Sequence, residues 1–281
     1  MSCDLHTHST FSDGTCTPEE IVSAAENLGL TAVALCDHNG VDGLLRFQRA
    51  AEGRRTAAVP GTEITTVYED TELHIVGLFV PESGCGAIRA LTERMRRSKE
   101  ESNLELERRL NAAGYPVNYA AMRAEHPEAA INRAHFGAEL MRLGFVSSVG
   151  EAIKTLLAPD AGFYEPPERT DAFEAISLLR DIGAVPVLAH PMLRLDAAGL
   201  GRFLPRAVRS GLLAIETRYP LFDADDERTA DEAAEEFALL PSGGSDFHGG
   251  NKPDISLGTG RGELNVPDAW YYALREAAEK A

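Results

Sequence analysis

The chain has 281 residues, 44% of them hydrophobic and 25% charged, with a formal net charge of −17. Those values fit a globular protein with a sizeable core, and no apolar run approaches the roughly 20 residues of a membrane span. The acidity argues against broad binding of nucleic acid, duplex DNA in particular, through a basic surface.

The first part of the chain alternates strand and helix. Cys3 to Thr7 reads as a strand, and Pro18 to about Leu28 as a helix with Thr17 as N-cap, Pro18 in the first turn and Gly29 ending it. Thr31 to Cys36 reads as a short apolar strand, and Val41 to Gly53 as a helix. Ala57 to Val59 is expected as a strand running into Pro60-Gly61-Thr62-Glu63, and Leu73 to Val80 as another carrying His74. From about Gly86 to Pro167 the pattern turns mostly helical, and the charged stretch Arg94 to Arg97 reads as a solvated helix face. The alternation then returns: helices at 171–181, 197–210, 224–238 and 267–278, strands at 184–189, 212–216 and 239–242. The domain reading is one barrel from residues 1–85 and 168–281, with residues 86–167 as a helical insertion that contributes to the substrate site. Cys3, Cys16, Cys36 and Cys85 lack C-x-x-C spacing and suit reduced thiols. No basic start with an apolar h-region precedes the first strand, so a cytoplasmic protein without signal peptide is expected.

Repeated βα units fit either a barrel or a doubly wound sheet. No G-x-G-x-x-G follows the first strand, which disfavours the dinucleotide-binding version. Polar residues recur instead at strand ends, where a (β/α) barrel places its active site. His6 and His8 stand two apart, so a strand would turn both to one side. Asp246 and His248 repeat that spacing after Gly243-Gly244-Ser245. With Asp13, His38, Glu63, His74 and His190 they make nine candidate metal ligands. A lone histidine is usually a packing residue. Here six of eight histidines fall in the set, leaving only His126, read as a surface residue, and His135. Mixed imidazole and carboxylate donors suit Zn²⁺, Mn²⁺ or Fe²⁺ better than Ca²⁺.

The pieces His6-Thr7-His8, Ser12-Asp13-Gly14, Asp37-His38, Pro60-Gly61-Thr62-Glu63, His74, Ala189-His190-Pro191 and Gly244-Ser245-Asp246-Phe247-His248 resemble, in order, the PHP (polymerase and histidinol phosphatase) family of the amidohydrolase superfamily. The resemblance implies a distorted (β/α)7 barrel and a phosphoesterase site with three divalent ions, Mn²⁺ first and Zn²⁺ or Fe²⁺ as alternatives. It would place His6, His8, Glu63 and Asp246 on one ion, His74 and His190 with bridging Glu63 on a second, and Asp13, His38 and His248 on a third. Asn132-Arg133-Ala134-His135-Phe136 and His190-Pro191-Met192-Leu193-Arg194 are similar to the bacterial members that act on nucleotides: 3′,5′-nucleotide bisphosphate phosphatases and 5′-to-3′ exoribonucleases.

The expected activity is metal-dependent removal of the 3′-phosphate from a nucleoside 3′,5′-bisphosphate, with short RNA or histidinol phosphate as alternative substrates. Asp246 joins His248 and His190 in the expected catalytic group. His248 or His190 could give a proton to the leaving oxygen, although ligand duty competes. Arg133, His135, Arg194 and Asn132 are the expected substrate contacts, because a guanidinium fork matches phosphate. An exposed helix-start arginine is the plain alternative for Arg133. Tyr219 and Phe163 could stack a base, with aromatic packing the simpler role. Amide hydrolysis over a carbamylated lysine fits poorly, since none of Lys99, Lys154, Lys252 and Lys280 sits at an expected strand end. A metal-binding module without catalysis is the other alternative, against which nine ligands with few cysteines speak.

Overall fold

The computed structural model describes residues 2–125 and 131–280; His126 lies outside them. Two compact units emerge, Met1–Thr92 with Thr170–Ala281, and Glu93–Arg169.

The first unit opens with β1 (Ser2–Thr7), α1 (Pro18–Leu28), β2 (Ala32–Leu35), α2 (Leu44–Ala50), β3 (Ala57–Tyr68) and β4 (Thr71–Leu78). The boundary between the units falls inside α3 (Cys85–Ala112), and α4 (Tyr119–Glu125), α5 (Arg133–Arg142) and α6 (Val149–Lys154) follow. The first unit resumes with α7 (Ala172–Asp181), β5 (Val185–Leu188), α8 (Ala197–Arg209), β6 (Ala214–Arg218), α9 (Ala224–Glu236), β7 (Leu240–Gly243), β8 (Val266–Pro267) and α10 (Asp268–Glu279).

Local chemistry explains the helix starts. Thr17 accepts from Glu20 N–H while Glu20 reaches back to Thr17, a capping box. Asp171 and Asp196 cap α7 and α8 through their carboxylates, and Asp223 forms a second capping box with Asp226 at α9. In α1 the buried residues Pro18, Ile21, Val22 and Ala25 form one helical stripe.

The strands run in the order β7-β6-β5-β4-β3-β2-β1-β8. β1, β2 and β3 are parallel, as are β5, β6 and β7. β4 is antiparallel to both neighbours, β3 and β5. A parallel bridge between Thr7 and Phe247 joins the two ends. There His8 N–H donates to Phe247 O at 2.9 Å and Asp246 N–H to His6 O at 2.8 Å. The result is a distorted seven-stranded barrel with a mostly helical insertion after β4, and the closure rules out an open doubly wound sheet. β8, which sequence reading missed, is a two-residue antiparallel addition to β1. Cys3, Leu5, Ala34, Val76, Val187 and Ala214 share a buried apolar cluster with Leu274 of α10.

Two differences from the expected elements matter for the site. β3 continues through Glu63 to Tyr68 rather than stopping before it. Glu69 and Asp70 both take positive φ, 46° and 64°, as a two-residue type I′ hairpin turn requires, and β4 folds straight back on β3. Neither residue is glycine or asparagine, so the turn carried no strong sequence signal. All four cysteines are unpaired thiols. Among the described residues no helix is long and apolar enough to cross a membrane.

The helical unit has its own core, with Leu106, Leu110, Phe136, Leu140, Ala152 and Leu157 buried together. Tyr119 stacks on Phe136 with ring centroids 6.0 Å apart.

Candidate metal centre

The parallel strands deliver their last residues to the end of the barrel where Thr7 meets Phe247. His6 ends on β1 and His8 follows it; His38 follows β2; His190 follows β5; Asp246 and His248 follow β7. Because β4 is reversed, its first half lies at the same end, which explains why His74 is inside a strand; it pairs with Thr65, two residues beyond Glu63. Asp13 comes from the turn after β1.

All nine sequence-predicted ligands converge. Four overlapping groups have donor atoms close enough to share an ion: His8, Asp13, His38 and His248; His6, Glu63 and His190; His6, His8 and Asp246; and His38, Glu63 and His74. Glu63 is central. Its Oε1 lies 2.8 Å from His74 Nδ1 and 3.0 Å from His190 Nε2. Its Oε2 lies 2.9, 3.3 and 3.4 Å from ring nitrogens of His38, His8 and His6. Asp246 Oδ1 is 3.1 Å from His8 Nε2, and Asp13 Oδ1 is 3.1 Å from His248 Nε2. The imidazoles are crowded, with His8 4.1 Å from His248 and 4.4 Å from His38 between ring centroids.

The donor chemistry fits cations. His6 Nδ1 is held by Glu216 Oε1 at 2.8 Å, so that nitrogen carries the proton and the Nε2 lone pair faces the cluster. There it meets His8 Nε2 at 3.1 Å. His248 is set likewise: Nδ1 donates to Asp246 O at 2.7 Å, leaving the Nε2 lone pair toward Asp13. Lone pairs facing carboxylates and other lone pairs need positive charge between them. Glu63 Oε2, His8 Nδ1 and His38 Nδ1 are buried and have no hydrogen-bond partner, as unfilled donors in such a site would. Without cations in place, the carboxylates would draw protons onto some of these rings instead. Burial opposes charge on His6, yet Glu216 and Glu63 hold it well above the ordinary imidazole range. Burial drives His8 down to about 3. Burial would raise Glu63, but His6, His190 and His38 hold it well below the usual carboxylate range.

The backbone is shaped for this. His190 and Asp246 have φ of 27° and 54°, a region unfavourable for residues with a Cβ. Glu216 Oε2 accepts from His190 N–H at 2.6 Å and holds the first of these turns. A Cβ on Gly244 would lie 2.4 Å from His6 N and Cβ, so only glycine lets β1 pass this close.

Sequence reading missed several supporting residues. Glu216 lies buried in the middle of β6, the one strand of the seven with no assigned ligand; a carboxylate at the expected end of an apolar strand was the available signal. Asp4 accepts from Ser245 Oγ at 2.5 Å, Ser245 N–H at 2.8 Å and Gly258 N–H at 2.7 Å, tying β1 to the Asp246 loop. Asp37 receives Ser9 and Ser12 and shapes the turn that carries Asp13. Tyr219 is buried, and its hydroxyl donates to Asp246 Oδ2 at 2.8 Å, a role different from base stacking or plain packing. Lys252 reaches the same oxygen at 2.6 Å, brought in by the loop after β7 that sequence reading left unassigned.

Beside the cluster lies a cavity of about 160 Å³ bordered by His38, Glu63, His74, His190, Asp246, Tyr219, Lys252 and Arg194. Of the four expected substrate contacts, Arg194 is the one on this cavity. Asn132, Arg133 and His135 belong to the helical unit. Asn132 caps α5, with its side chain on Ala134 N–H at 3.0 Å and on His135 Nδ1 at 3.0 Å. Arg133 lies over the Tyr164 ring at 4.6 Å and, with Asn132 and Lys99, borders a separate cavity of that unit. Phe163 packs edge-on against Tyr115.

A barrel carrying this cluster defines a class: the chain is a metal-dependent phosphoesterase. The PHP domain model matches residues 4–157. The chain belongs to the PHP domain family. Its curated relatives include a 5′-3′ exoribonuclease of Haemophilus influenzae, 32% identical over 87% of this chain and 89% of that one. A phosphoribosyl 1,2-cyclic phosphate 1,2-diphosphodiesterase of Eggerthella lenta is 30% identical over 90% and 97%. A 3′,5′-nucleoside bisphosphate phosphatase of Chromobacterium violaceum is 30% identical over 87% and 86%. Among solved structures, a candidate metal-dependent phosphoesterase of Bifidobacterium adolescentis superposes with a TM-score of 0.68 at 26% identity, covering 98% and 96% of the two chains.

Proposed function

We propose that this enzyme removes the 3′-phosphate of a nucleoside 3′,5′-bisphosphate, leaving the nucleoside 5′-monophosphate. The observation that carries the reading is Glu63, whose two oxygens face two sets of imidazoles in one buried cluster opening on a cavity that Arg194 and Lys252 also border. The nine ligands are assigned to three divalent ions, with Mn²⁺ as the metal of choice. Bound there, such ions neutralise charge on phosphoryl oxygens and bring the ionisation of water toward neutral pH.

The chain's own groups do the rest. Arg194 and Lys252 present cations to a phosphate in the cavity. Tyr219 and Lys252 hold Asp246 through Oδ2, leaving Oδ1 toward His8. Glu216 sets the orientation of His6 and the turn at His190. The rings of His190 and His248 each face a carboxylate, so ligand duty takes precedence over proton donation.

A second reading, supported by the relative named an exoribonuclease, uses the same scissile bond. Cleavage between the phosphorus and the 3′-oxygen of a 5′-terminal nucleotide also leaves a nucleoside 5′-monophosphate. The substrates separate in one assay: adenosine 3′,5′-bisphosphate, a 5′-phosphorylated trinucleotide RNA and histidinol phosphate, each with Mn²⁺, with released phosphate and nucleotide measured. The bisphosphate is expected to turn over fastest. Far faster turnover of histidinol phosphate overturns the proposal.

A further inference from the structure

A second cavity of the barrel unit, about 390 Å³, adjoins the one at the metal cluster and shares Arg194 with it. Its border is built by the end of the β3–β4 hairpin, with Tyr68, Glu69 and Thr71, and by the start of α8, with Asp196, Gly199 and Arg202. Gly199 and Arg202 stand three apart in α8 and so share a helix face.

The charges on this border are not equivalent. Asp196 is used as the cap of α8, its carboxylate on Gly199 N–H at 2.7 Å. Glu69 lies against the Tyr68 hydroxyl and raises its pKa, after burial. Arg194 and Arg202 are exposed, and neither guanidinium makes a hydrogen bond or ion pair among the described residues. Arg206, one turn on from Arg202, is engaged, lying over the Phe173 ring at 4.0 Å. In a chain of net charge −17, two unpaired guanidinium groups along one path from the metal cluster are conspicuous.

We propose that this second cavity is a subsite for the next phosphodiester of a short RNA, with Arg202 as its phosphate contact and Arg194 shared between it and the scissile phosphate. The inference rests on the phosphoesterase reading above and extends it. Water adds to the phosphorus, the bond to the 3′-oxygen breaks, and that oxygen takes a proton. With a nucleoside bisphosphate the departing phosphoryl group is inorganic phosphate. With RNA the same phosphoryl group stays on the remaining chain, which must lie beyond the cluster, and the Arg194–Arg202 path gives it room and counter-charge. A planar guanidinium fork suits a phosphodiester of any sequence, so the subsite reads length and charge rather than base.

The test is binding to the Mn²⁺-loaded enzyme of a 5′-phosphorylated, phosphorothioate-linked trinucleotide RNA, followed by fluorescence anisotropy across a KCl series, beside binding and hydrolysis of adenosine 3′,5′-bisphosphate. Arg202→Gln is expected to weaken the trinucleotide about tenfold, the worth of one charge-assisted contact. It should also lower the slope of log affinity against log salt by about 0.7, one phosphate of a single strand. The bisphosphate should be unaffected. Arg202→Lys should keep the slope, and Arg209→Gln, an equal charge loss at an exposed site on the same helix, should leave all values at wild type. Trinucleotide binding within twofold of wild type in Arg202→Gln, or equal losses for trinucleotide and bisphosphate, overturns the subsite. Failure of the wild-type enzyme to hydrolyse the bisphosphate, with Arg202-dependent trinucleotide binding intact, overturns the phosphatase reading and leaves the subsite standing.

Discussion

Replacing Glu216 by glutamine tests whether a residue outside the nine ligands governs the cluster. The carboxylate accepts twice, from His6 Nδ1–H at 2.8 Å and from His190 N–H at 2.6 Å. An amide of the same shape has one oxygen. Its NH₂ must then face a donor on one side. If it faces His190, the N–H that holds a φ of 27° loses its acceptor. If it faces His6, the ring can accept only by moving its proton to Nε2, which removes the lone pair from the cluster. Either way one charge-assisted bond is lost, worth about 1.5–3 kcal/mol. That equals roughly 10–100-fold in metal affinity, the range found when an outer partner of a metal-bound histidine is removed. The assay is Mn²⁺ titration of metal-stripped protein, with circular dichroism melting to show that the barrel is folded. A folded Glu216→Gln protein that binds Mn²⁺ within twofold of wild type would refute the reasoning.

Three further outcomes follow from the same geometry. Gly244→Ala places a Cβ 2.4 Å from the His6 backbone, so β1 must shift; a loss of about 1–3 kcal/mol or more in denaturant unfolding is expected, with metal binding lost alongside, whereas Gly250→Ala, whose Cβ meets nothing nearer than 3.6 Å, should be mild. Tyr219→Phe leaves Asp246 Oδ2 with Lys252 alone and should lower kcat while leaving metal stoichiometry unchanged by elemental analysis. Arg133→Ala removes the cation over Tyr164 at 4.6 Å and should cost about 0.5–1 kcal/mol in urea unfolding; no change would place the stacking among surface contacts of no worth.

How much of this was legible in the sequence depends on whether the signal was local. His6 and His8, two apart on a strand, and Asp246 and His248 in a glycine-rich turn announce themselves because strand periodicity turns such pairs to one side. The helix start at Thr17 was read from capping chemistry, and the structure adds Asp171, Asp196 and Asp223 as caps of the later helices. The reversal of β4 was not, because its turn is Glu69-Asp70, two acids in a conformation that usually asks for Asn-Gly. That reversal is what brings His74 to Glu63 from inside a strand. Glu216 carried only a weak signal for another reason: a carboxylate at the expected end of an apolar strand is ordinary until His6, 210 residues away, is seen against it. Lys252 and Tyr219 likewise gain meaning only through a shared contact on Asp246.

The central claim is that phosphoester hydrolysis runs on the Glu63-centred cluster. Its most direct test is Mn²⁺-dependent release of phosphate from adenosine 3′,5′-bisphosphate by wild-type protein and by Glu63→Gln, with folding checked by thermal melting. Glu63→Gln removes the negative charge that five imidazoles face and replaces one of its two acceptor oxygens by an NH₂ donor. Wild-type turnover that vanishes with chelator and returns with Mn²⁺, together with activity at background in a folded Glu63→Gln protein, is the predicted result. Turnover in that variant near the wild-type rate, or wild-type turnover untouched by chelator, would contradict the account.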